Sequence, residues 1–133
     1  MILSFKKQFK QPILDGTKIH TIREDEPDRW HDGRHIHFAN GVRTKNYDCF
    51  KEGPCVSTQP ISIIWNSTGF SVTILIDKKA YSANWDKTKD SISCDPIIRE
   101  ISENDGFENV ESFFKWFNEN FRGKLIHWTE KRY

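Results

Sequence analysis

At 133 residues and a formal net charge of +1, the chain has the length of one compact domain that buries a core without disulfide or metal staples. A hydrophobic share of 36% against 29% charged residues is polar for a globular protein, but 10 Phe, 5 Trp and 3 Tyr bring large buriable surfaces. Apolar runs are short and the opening MILSFKKQFK is charged too early for a secretory h-region, which argues against a membrane partner and for a single cytoplasmic domain over residues 1–133.

In chain order, ILSF reads as a first short strand. QPILDG reads as a short helix, with Pro12 in its first turn and Gly16 free to take the positive φ that stops it. KIHTIR alternates like a strand, and RHIHFAN, VSTQPISIIWN and FSVTILID are β-branched or aromatic runs bounded by turn residues, hence three more strands. NSTG supplies the turn between the last two. From Asn40 to Pro54 no period stands out, and a loop or a ragged hairpin fits equally.

Helical signals fall in the C-terminal third. DPIIREISENDGF has Asp95 as N-cap, Pro96 at the first helical position, Ile97, Ile98 and Ile101 on one face, and Gly106 as its stop. NVESFFKWFNENF follows with Asn109 as cap and Val110, Phe113, Phe114, Phe117 and Phe121 on one side, a core face rather than a base-stacking platform. GKLIHWT closes the chain as a strand. Strands early, a helical pair late and a returning strand predict an α+β domain whose sheet curls into a small β-barrel with flanking helices.

Three cysteines, Cys49, Cys55 and Cys94, are an odd number without a CxxC pair, so reduced thiols are expected. His35 and His37 share one face of a strand, as metal ligands sometimes do, but alternation with Ile36 and Phe38 explains them as the wet face of a half-buried strand. No structural metal and no cofactor is expected. Charge is uneven: residues 1–23 carry five basic side chains against Asp15, and FRGKLIHWTEKRY carries Arg122, Lys124, Lys131 and Arg132 against Glu130. If Lys6, Lys7 and Lys10 meet Arg122, Lys124 and Arg132 in space, the shared face would suit an anionic partner.

DGTKIHTIRED, preceded by FKQPIL, resembles the GxKxxTxR motif of the ASCH domain family, relatives of the PUA domains, with Gly16, Lys18, Thr21 and Arg23 on the motif positions. DGR at 32–34 resembles the family's turn into a barrel strand, and NDGFENVESFFKWF its acidic-Gly-Phe stretch before the last helix; residues 40 to 70 exceed a minimal member. The resemblance implies a PUA-like barrel with a cleft for RNA or a modified nucleoside, and small bacterial members are amidohydrolases that deacetylate acetylcytidine. Their proposed catalytic lysine and threonine fall here on Lys18 and Thr21. Their glutamate falls on Asp105, one methylene shorter, or on Glu103 if the alignment slips by two.

The chemistry is coherent, since amide hydrolysis needs a nucleophile, a base and an orienting group. Lys18 and Thr21 are three apart and reach one side only if Lys18 lies in the turn and Thr21 in the strand. Arg23 shares the face of Thr21 and suits a phosphate or carbonyl oxygen. Gly16, Arg23 and Trp30 are the expected substrate- or RNA-contacting positions, with Trp30 or Trp128 exposed to stack a base. Neither Lys18 nor Thr21 belongs to the expected core, so their replacement should leave the fold intact. The alternative is a non-catalytic RNA-binding or regulatory module built on the same cations.

Overall fold

A computed structural model describes residues 1–86 and 88–133. It is α+β and mostly strands, in two sheets. The first orders β1 (Ile2–Ser4), β3 (His35–Asn40) and β4 (Asp48–Pro54), with β1 parallel and β4 antiparallel to β3. The second is a curled six-stranded half-barrel, ordered β2 (His20–Arg23), β9 (Phe121–His127), β5 (Ser57–Trp65), β6 (Ser71–Ile76), β7 (Lys79–Asp86), β8 (Ser91–Cys94), antiparallel throughout. A 3₁₀ turn at Lys7–Phe9 leads into α1 (Lys10–Asp15), and α2 (Pro96–Asn104) and α3 (Val110–Trp116) follow β8. Among the described residues no helix is long and apolar enough to cross a membrane.

Each sheet has its own core. Ile61, Ile63, Ile74, Ile76 and Leu125 of the large sheet pack with Ile98 and Ile101 of α2 and Phe113 and Phe114 of α3. Leu3, Ile36 and Phe38 of the small sheet pack with Phe5, Phe9, Ile13 and Trp30. Phe107, between α2 and α3, touches both cores: its ring stands edge-on to Phe9 and to Phe113, each at 5.5 Å. The large sheet closes tightly at β2 and β9, where a Cβ on Gly123 would lie 2.2 Å from the Arg23 carbonyl oxygen.

Several expectations need correction. The unassigned segment after Asn40 holds β4, paired to β3 with a register shift between Phe38 and Ala39. Strands β7 and β8 were not anticipated. Helix α3 ends at Trp116: Phe117 leaves helical geometry at φ −97° and ψ 65°, and Phe121 instead pairs with Ile63 as the first residue of β9. Phe113 and Phe114 are fully buried as expected, but Phe117 is only half-buried. Asn109 caps α3 by accepting from Ser112 N at 2.8 Å, whereas Asp95 at the start of α2 turns to Ser82 N of β7 at 2.8 Å.

Candidate functional site

The turn after α1 delivers Lys18. Gly16 ends the helix at φ +81°, and the backbone N–H groups of Thr17 and Lys18 both donate to the Pro12 carbonyl at 3.0 Å. Ile19 N then donates to the Asn104 carbonyl at 2.8 Å, which fastens this turn to the end of α2. Lys18 thereby passes beneath Gly106, whose φ of +89° favours glycine; a Cβ there would stand 3.0 Å from Lys18 Cδ and 3.1 Å from its Cβ.

Lys18 is only 2% exposed. Its Nζ donates to the Asp105 carbonyl oxygen at 2.6 Å and to Asp105 Oδ1 at 3.1 Å, and sits 4.7 Å from the centroid of the Phe9 ring. Burial pulls this amine below the ordinary lysine range; the Asp105 charge opposes the shift and Arg23 adds to it. Of the two candidate acids, Asp105 faces Lys18 and Glu103 is exposed.

Asp105 Oδ1 also meets His20 Nδ1 at 3.1 Å, and His20 Nε2 meets the Tyr133 hydroxyl at 2.6 Å. Asn104 Nδ2 donates to that hydroxyl at 3.0 Å, so the tyrosine proton is free to go to Nε2, which leaves Nδ1–H to donate to Asp105. Burial lowers the basicity of His20 and raises the pKa of Tyr133, so both rings stay neutral in this arrangement. His20, Asn104 and Tyr133 were not singled out from the sequence; Tyr133 lies 113 residues from His20, and no local spacing records that contact.

A cavity of about 780 Å³ opens beside this network, bordered by Lys18, Thr21, Arg23 and Asp105 on its polar side. Phe5, Phe9, Phe107, Trp116 and Phe117 form the aromatic wall. The Thr21 hydroxyl accepts from Arg23 Nε at 3.2 Å, which leaves its proton available. Arg23 also donates to the Ser4 carbonyl and lies 5.0 Å over the Phe5 ring, and Lys6 lies 5.0 Å over Trp116. Burial pulls the Arg23 guanidinium below the usual arginine range while Asp105 opposes it.

Three expected contact positions stand elsewhere. Trp30 is 6% exposed, held in the small-sheet core with its N–H on Asp25 and its carbonyl on Lys124, so it is not a free stacking platform. Trp128 packs edge-on against Phe5 and Phe38. Gly16 stops α1 and does not border the cavity. Two of the cations that a shared basic face would draw on are paired with acids: Lys10 with Asp48, and Lys124 with Asp25 and Asp28.

His127, beneath His20, predicts an acid response. Gln59 Oε1 already accepts Tyr133 N at 2.9 Å, so at 3.0 Å it accepts from His127 Nε2–H as well, and His127 Nδ1 is buried with no hydrogen-bond partner among the described residues. A proton on Nδ1 would be a buried unpaired charge, and burial pushes the pKa down to about 3. The unfolded chain takes that proton near pH 6.5 and the folded chain only near 3, so the unfolded state binds more protons between the two. Stability should be full above about pH 6.5 and fall toward pH 3, by at most about 1.4 kcal/mol per pH unit for this one group. Urea unfolding across that range is the measurement; His127→Gln should flatten part of the slope, with His20 contributing in the same direction.

The chain matches no family model, no curated protein and no solved structure.

Proposed function

We propose that the protein is a PUA-like domain of ASCH type that takes a modified nucleoside into this cavity and removes an acyl group from its base, in a cytoplasmic setting. The observation that carries the reading is a buried lysine–aspartate pair and a threonine hydroxyl on one side of a cavity walled by aromatic rings. Aromatic walls accept a flat base, and burial makes Lys18 less basic, which raises the share of the neutral amine that can act as a base alongside the resting ion pair.

In this reading Thr21 Oγ attacks the acyl carbonyl carbon while Lys18 takes the hydroxyl proton. Arg23, beside the hydroxyl, stabilises the oxyanion. The C–N bond breaks as Lys18 passes the proton to the leaving amine, giving an acyl-threonine and the free nucleoside. Water, deprotonated by Lys18, then attacks the ester carbonyl and regenerates Thr21 with release of the carboxylic acid. Asp105 holds Lys18 in place and His20 holds Asp105.

The test is turnover of a panel of acylated nucleosides, N4-acetylcytidine among them, by the wild type and by Lys18→Ala and Thr21→Ala. Wild-type hydrolysis with a loss on the order of 10²–10⁴-fold in each variant is expected. Equal rates in all three proteins would exclude the site. The alternative of a non-catalytic RNA-binding module draws on Lys6 and Arg23, each beside an aromatic ring of the same cavity. The ion pairs at Lys10 and Lys124 weaken the extended basic groove that it needs. No turnover of any substrate, with salt-sensitive RNA binding, would favour it.

A further inference from the structure

His35 and His37 lie on one face of β3, the central strand of the small sheet, and β4 brings a carboxylate to them. The pairing places His37 opposite Glu52, and Glu52 Oε1 lies 3.0 Å from His35 Nε2 and 3.4 Å from His37 Nδ1. The two imidazoles stand edge-on at 4.9 Å, and the three donor atoms all fall within 4.8 Å of one another. We propose that His35, His37 and Glu52 form a binding site for an exchangeable divalent transition-metal ion of the zinc class, completed by water on the open side.

The geometry suits such an ion. Bonds of about 2.0–2.1 Å from a tetrahedral centre put ligand atoms roughly 3.3 Å apart, close to the spacings already present around Glu52 Oε1. Only small side-chain rotations are needed, and all three residues are at least partly exposed and free to make them. The backbone beneath is fixed, because β3 is paired on one side to β1, with Ile2 opposite His37, and on the other to β4. Two imidazoles and one carboxylate select zinc, copper or nickel over magnesium or calcium, which prefer all-oxygen sites.

With no metal bound, His35 Nε2 is hydrogen-bonded to Glu52 Oε1, and that bond, with the nearby His37 imidazole, holds the Glu52 carboxyl below the usual range. Binding displaces that hydrogen bond: in the metal-bound form each imidazole turns a ring-nitrogen lone pair to the ion and carries its proton on the other nitrogen. The site differs from a structural zinc centre in lying open on the surface, with neither sheet dependent on it for closure. It is therefore compatible with the expectation of no structural metal.

The experiment is calorimetric titration of the chelator-treated full chain with zinc chloride, in parallel with His35→Ala, Glu52→Gln, His31→Ala and Cys49→Ser. The last two control for the other exposed histidine and for the exposed thiol on β4. Saturable binding of one ion per chain is expected, unchanged in His31→Ala and Cys49→Ser and weakened at least about tenfold in His35→Ala and Glu52→Gln. Zinc should also raise the thermal midpoint of the wild type and not that of His35→Ala. Absence of saturable binding, equal affinity in His35→Ala, or loss of binding in Cys49→Ser would each overturn the assignment.

Discussion

Lys18→Met is expected to destabilise the fold by about 3–5 kcal/mol, because it leaves the Asp105 carboxylate buried without its cation. The reading of Lys18 as a residue outside the core, replaceable without harm to the fold, is thereby corrected: both members of the pair are at most 3% exposed. His20 can still donate to Asp105 Oδ1, but a neutral imidazole does not replace an ammonium at 3.1 Å. Adding Asp105→Asn in the Lys18→Met background removes the orphaned charge and should restore most of the loss, since a buried pair removed whole is close to neutral. Urea unfolding of the wild type, both single variants and the double variant closes the cycle. A single variant as stable as wild type, or a double variant no better than Lys18→Met, would show that the pair does not hold this end of α2. For the proposed hydrolase, turnover should stay lost in the double variant although its stability returns, which would separate a stabilising role of the pair from a chemical one.

The layout of the opening motif was legible because its signals are local. Gly16 can adopt positive φ at no steric cost, Thr21 and Arg23 alternate with Ile22, and together these place Lys18 in a turn and Thr21 on a strand. Asp105 followed by Gly106 likewise marked the end of α2, where the acid stands. Burial was not legible. Nothing in KIHTIR says that β2 is covered on both faces, and no local signal marks His20 as the fully buried residue it is. Trp30 misled in the same way, since a tryptophan among charged residues reads as exposed, yet Asp25 and Lys124 tie its backbone down and its ring enters the core. Helix α3 was overextended because Phe121 continues a helical spacing by coincidence, whereas Asn120 accepts from Trp65 N at 2.7 Å and turns the chain into β9. Tyr81, Ala83 and Trp85 do alternate in β7, but lysines at its start and polar residues between them hid the strand. The shared face of His35 and His37 followed from period two alone; Glu52 required the register of β3 on β4, in a segment whose bulge erases any period.

Phe113→Ala is expected to cost about 3–5 kcal/mol in stability and to weaken substrate binding as well. The ring is fully buried and stands 5.0 to 5.5 Å from the rings of Phe107, Phe114 and Phe117. Truncation leaves a void that α3 fills poorly, because Phe114 is engaged with Trp65 at 5.5 Å and Val110 is itself fully buried. Phe107 and Phe117 line the cavity on their other sides, so losing the ring behind them lets that wall move while Lys18, Thr21 and Asp105 stay where α1, β2 and α2 hold them. For the proposed hydrolase this means a raised KM with kcat largely kept, the pattern of lost uniform binding. Phe117→Ala, which removes a half-buried ring from the wall itself, should raise KM similarly at a smaller cost in stability. The measurement pairs urea unfolding with steady-state kinetics on the best acylated nucleoside. A Phe113→Ala protein that loses kcat at unchanged KM would mean that the ring supports the polar side of the cavity rather than its aromatic wall.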